Sequence, residues 1–161
     1  MHMMLLMVLL ATNLNLPLTQ WRPVREGVTL APEEGKLHVS YTVAAGKPAG
    51  AATRLLPGTL GGVTALKLRI TASRNTPLIV TFMNDKQIAY GSPVINARAG
   101  TKEYTIDPAA LEYSPQQSKG EDPGAYAIGD TVMIAVIDIA GFTGAEAAET
   151  SWTIESIEAV R

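Results

Sequence analysis

The run Thr131–Ile139 (TVMIAVIDI) constrains the fold of this chain more than any other stretch. It is rich in β-branched residues, and both of its alternating faces are apolar. Val132, Ile134 and Val136 point one way, and Met133, Ala135 and Ile137 the other. A strand with two apolar faces belongs in the middle of a sheet. A buried helix has the same composition. A length of about nine residues and the flanking Gly129 and Gly141 favour the strand. The run ends in Asp138, an ionisable residue inside an apolar segment.

The rest of the chain must supply cover for that strand, and it offers strands rather than helices. Lys36–Val43 (KLHVSYTV) alternates, with Leu37, Val39, Tyr41 and Val43 on one face. Val63–Ala72 turns Leu66, Leu68, Ile70 and Ala72 inward. Leu78–Met83 is a further strand, and Asn84-Asp85 reads as a hairpin leading into Lys86–Tyr90. A short strand is expected near Thr53–Leu56. Thr101–Asp107 alternates through Tyr104 and Ile106, and Trp152–Val160 closes the chain. Asp107-Pro108 reads as a cap and first position of one helical turn. About eight to ten strands, turn signals every ~8–12 residues and no long amphipathic helix predict an all-β antiparallel β-sandwich of jelly-roll type.

Length and charge narrow the function. A chain of 161 residues suits one domain, expected over residues 16–161. A net charge of −2 with scattered lysines and arginines gives no footprint for nucleic acid. The absence of cysteine excludes disulfides, thiolate zinc sites and thiol nucleophiles. His2 and His38 are the only histidines, and no nucleophile elbow, P-loop or dinucleotide fingerprint is present. The chain therefore reads as a non-enzyme. Met3–Ala11 (MMLLMVLLA) is too short to span a bilayer. It reads as the core of a signal peptide cleaved after Ala11, which implies a secreted or periplasmic protein. If it is instead an apolar arm packed on the domain, the protein is cytoplasmic.

The order of elements resembles the galactose-binding-domain-like jelly rolls, notably carbohydrate-binding modules and complex-I intermediate-associated domains. The resemblance rests on KLHVSYTV, VTALKLRITASRNTPLIVTFM, YTIDPAALEY, GDTVMIAVIDIAG and SWTIESIEAV, and spans Leu16–Arg161. It implies a non-catalytic module that binds a glycan by a concave sheet or by loops at one end. It also implies that a structural calcium can be held near the termini. No cofactor is required on this reading. The alternative partner is a protein held by the same sandwich.

Aromatic residues make up only 6% of the chain, so few rings are available as sugar platforms. Alternation assigns Tyr41, Phe82, Tyr104 and Trp152 to the core. Trp21, Tyr90, Tyr113 and Tyr126 are left. The longest polar loop, Ser114–Gly124, places Tyr113, Gln116, Gln117, Asp122 and Tyr126 close together in sequence. The expected ligand site is Tyr90, Tyr113, Gln116, Asp122 and Tyr126, set against the reading of a solvated loop. Asp138 either caps the turn at Ala140–Phe142 or ligates calcium together with Glu149 or Glu155. Arg54, Arg69, Arg74 and Arg98 are candidates for an acidic sugar, and nothing in the sequence separates them from surface arginines.

Overall fold

A computed structural model describes residues 11–161. The expected leader, Met1–Ala11, lies outside the described residues except for Ala11 itself. Among the described residues, thirteen strands form two antiparallel sheets. In chain order they are β1 Ala11–Asn13, β2 Arg22–Pro23, β3 Thr29–Glu33, β4 Lys36–Thr42, β5 Ala49–Arg54, β6 Ala65–Ala72 and β7 Thr76–Asn84. The chain continues with β8 Ala89–Gly91, β9 Ile95–Ala97, β10 Gly100–Ile106, β11 Glu112–Tyr113, β12 Thr131–Asp138 and β13 Glu149–Val160.

The first sheet runs β10-β6-β13-β4-β3, with β1 alongside the end of β13. The second runs β11-β8-β7-β12-β5-β2, with β9 alongside β7. The all-β sandwich expected from the sequence is the fold found.

Alternation explains the core. In β6, Leu66, Leu68 and Ile70 are at most 2% exposed, while Arg69 between them faces solvent. They meet Leu78, Val80 and Phe82 of β7 and Ile134 and Val136 of β12, all sealed between the sheets. Each buried aliphatic side chain contributes about 2 kcal/mol. β12 lies between β5 and β7 at the centre of its sheet, as its two apolar faces require. The Asn84 hairpin forms as expected. The Asn84 carboxamide oxygen accepts from the N–H groups of Lys86 and Ile88, each at 3.0 Å. Asp107 caps the single turn Pro108–Ala110 by accepting from Ala109 N–H at 2.9 Å.

Some local expectations change. β5 begins earlier than predicted and ends at Arg54, because Ala49 and Ala51 pack inward beneath β12. Tyr104 is only half-buried, since β10 is an edge strand, and its hydroxyl accepts from Arg98 N–H. Trp21, expected to be open to solvent, is 4% exposed and belongs to the core.

Candidate functional site

The structure brings four of the five expected ligand residues together. Tyr90 of β8 pairs with Phe82 of β7 and with Tyr113 of β11, so all three rings share the core-facing side of the second sheet. The Tyr90 ring lies 4.8 Å from Tyr126 and 5.8 Å from Tyr113, centroid to centroid. Asp122 accepts from the Tyr90 hydroxyl and from Gly124 N–H. Those two donors hold its carboxyl below the usual carboxylate range, and the bond to Asp122 pushes the Tyr90 phenol up to about 12. Gln116 is exposed on the same loop.

This cluster is turned inward. Tyr90 is 5% exposed, which corrects the expectation that it offers a ring to solvent. Tyr113 donates its hydroxyl to Gly120 O at 2.6 Å, and the Tyr126 hydroxyl bonds Thr131 Oγ1 at 2.8 Å. The loop itself is laced to β8 by Ser114 N–H to Ala89 O, by Ala89 N–H to Ser118 Oγ and by Lys119 N–H to Gln87 O. The tyrosines and this loop thus cover the end of the second sheet at β8 and β11. Tyr113 and Tyr126 keep partly exposed rings.

Asp138 is 2% exposed, and both its oxygens are engaged. Oδ1 accepts from Ala140 N–H at 2.7 Å, the turn cap expected from the sequence. Oδ2 accepts from the Tyr41 hydroxyl, which in turn accepts from Trp152 Nε1 at 2.8 Å. These residues do not fit a calcium ion. Such an ion needs six to eight oxygens, and here N–H and O–H donors point at the carboxylate. Glu155 is bound to Lys36 at 2.7 Å and accepts from Thr71. Among the described residues no cluster of three or more acids and histidines is close enough to hold a metal.

An open surface lies on the outer face of the second sheet. The register places Arg54 and Ala52 of β5 beside Met133 and Ala135 of β12, and these beside Met83 and Thr81 of β7. Arg22 of β2 stands opposite Ala52. A hollow of about 440 Å³ opens here, lined by Gln20, Arg22, Ala52, Thr53, Arg54 and Met133. Gln20 and Arg54 also line a second hollow of about 660 Å³, which runs past Leu14, Leu16 and Leu56 to Arg161. Both volumes fall in the ~300–1,000 Å³ range of ligand clefts. Thr81 is 5% exposed, and its hydroxyl has no partner among the described residues. An apolar floor edged by guanidinium and amide donors can hold a flat, hydroxylated ligand.

No family model matches the sequence, and no curated protein matches it. Solved structures do. The family 11 carbohydrate-binding module of a cellulosomal cellulase of Clostridium thermocellum superposes with a TM-score of 0.72 at 12% identity, covering 94% of this chain and 95% of that one. A family 11 module from Clostridium thermocellum in complex with a β-1,3-1,4-mixed-linked tetrasaccharide gives 0.66 at 12% identity over 89% and 90%. A family 29 module complexed with cellohexaose gives 0.57 at 12% identity over 94% and 88%. The fold is the jelly-roll β-sandwich that these carbohydrate-binding modules have.

Within this jelly roll, sequence reasoning missed Arg22 and Thr81 and could not single out Arg54. Arg22 and Arg54 meet only because β2 pairs with β5, a contact between separate parts of the chain. Thr81 reads from sequence as one more position of a buried strand. Period-two alternation from Phe82 does place it on the opposite face.

Proposed function

We propose that this protein is a non-catalytic carbohydrate-binding module whose glycan lies in the groove on the outer face of the second sheet. The observation that carries this reading is the groove itself. Ala52 and Met133 form an apolar floor for the C–H face of a sugar ring, while Gln20, Arg22 and Arg54 supply hydrogen-bonding partners. The shared fold with modules solved in complex with oligosaccharides supports it. The partly exposed rings of Tyr113 and Tyr126, with Gln116 and Asp122, are the second place where a sugar can stack. Their committed hydroxyls make them the weaker of the two. Export of the mature domain accords with this reading, and no helix among the described residues is long and apolar enough to cross a membrane.

Affinity electrophoresis against a panel of soluble polysaccharides tests the proposal. Retardation that is lost in Ala52→Glu and kept in Tyr113→Ala places the glycan in the groove. The opposite pattern moves it to the tyrosine loop. No retardation by any polysaccharide overturns the reading.

A further inference from the structure

We infer that the groove takes an anionic glycan, a polysaccharide bearing uronic acid carboxylates, with Arg54 as the central recognition residue. This rests on the groove being the glycan site. The two adjoining hollows share Arg54 and Gln20, so they form one path with Arg22 at one end and Arg161 at the other. No aspartate or glutamate is among the described residues that line either hollow. In a chain with 15 acidic and 13 basic residues, three arginines on one path without a single acid are a local reversal of sign. The net charge of −2 gives an anionic polymer no general attraction, so retention must come from this path.

The arginines are not spent on carboxylates of the protein. The ion pairs among the described residues are Lys36–Glu155 and Lys67–Glu103, both on the other sheet. Arg22 is held in place through one nitrogen, Nη1, which donates to Thr19 O at 2.7 Å and Trp21 O at 3.0 Å. Arg161 is braced by bonds to Gly61 O and Thr59 O. Arg22 sits opposite Ala52, and Arg54 follows two residues later on the same face. Such diagonal neighbours lie ~7–8 Å apart at the backbone, within reach of one ligand group for long side chains.

The choice of carboxylate follows from shape. A pyranose ring lying flat on Ala52 and Met133 directs an equatorial carboxylate outward in the ring plane, toward the rim where the guanidinium groups stand. The planar guanidinium fork matches a planar carboxylate with two parallel N–H···O bonds.

Titration calorimetry of the intact protein with polygalacturonate, the same polymer after carboxyl reduction, a sulfated galactan and a neutral mixed-linked β-glucan tests this. Polygalacturonate should bind best, with an affinity that falls as salt is added. Arg54→Gln should weaken it about tenfold to a hundredfold, and Arg22→Gln less. Carboxyl reduction should cost at least as much as Arg54→Gln. Arg54 is exposed, so the variant's unchanged thermal unfolding separates lost recognition from lost folding. Tightest binding of the neutral glucan, indifferent to Arg54→Gln, overturns the anionic reading and leaves the glycan reading standing. Preference for the sulfated polymer overturns the choice of carboxylate. Binding of none of the four overturns both readings.

Discussion

Tyr41 on β4 of one sheet donates its phenolic hydrogen to Asp138 on β12 of the other. The bond crosses the core, and Trp152 of β13 completes the chain by donating its indole N–H to the same phenol. The sandwich is thus bolted by a fully partnered polar string inside an otherwise apolar interior. Tyr41→Phe keeps the ring but leaves one carboxylate oxygen and the Trp152 N–H without a partner. We expect a loss of about 2–4 kcal/mol in urea unfolding. A loss below half a kcal/mol would show that the string contributes packing alone.

The same phenol sets an alkaline limit. Burial, reinforced by the hydrogen bond to Asp138, pushes Tyr41 well above the ordinary tyrosine range, and Tyr90 is pushed up to about 12. In both cases the folded state binds the proton more tightly than the unfolded state. Their contribution is therefore complete below pH ~10 and is lost as pH rises through the folded values. For Tyr90 that window is pH ~10 to about 12. Urea midpoints should fall across it, less steeply in Tyr90→Phe. A midpoint flat to pH ~12 contradicts this.

What the sequence made legible was whatever depends on local period or on neighbours in the chain. The faces of β6, the burial of Trp152, the Asp107 cap and the Asp138 turn are all of this kind. Positions on strands too short to show a period were not legible. Trp21 precedes a two-residue strand and Tyr90 lies in a three-residue one, and both enter the core because of partners distant in sequence. The groove is the extreme case. Arg22, Arg54 and Arg161 come from different parts of the chain, and only the β2–β5 pairing and the packing of the C-terminus put them on one path.

Asp122 reports on the latch that ties the Ser114–Gly124 loop to β8. Its carboxyl is held low first by the Tyr90 hydroxyl and then by Gly124 N–H. Tyr90→Phe removes the larger cause. In an NMR pH titration the Asp122 carboxyl should move up toward the ordinary value of ~3.9. The amides of Lys119 and Gly124 should broaden or shift as the loop loosens. An Asp122 titration identical in the two proteins would show that the phenol does not bear on it.

Calcium should not matter to stability. Both Asp138 oxygens already accept hydrogen bonds, and Glu155 is committed to Lys36. The melting temperature with millimolar calcium should equal that with chelator. A rise with calcium would mean that the turn at Ala140 rearranges to hand Asp138 to an ion.

Gly50 marks a close approach of β5 to β12. A Cβ built there meets the Val136 carbonyl oxygen at 2.0 Å, and that oxygen is backbone in the central strand, so no side chain can swing aside. Gly50→Ala must push β5 away from β12. The register links Gly50 to Ile137 and, two residues further along, Ala52 to Ala135, so the displacement reaches the floor of the groove. We expect a loss of about 1–3 kcal/mol in urea unfolding. Binding of the glycan should weaken at temperatures where the variant is still folded, since Ala52 and Arg54 shift with the strand. Full stability in Gly50→Ala would mean that β5 has slack at this point. Unaltered binding in a destabilised variant would place the ligand away from β5.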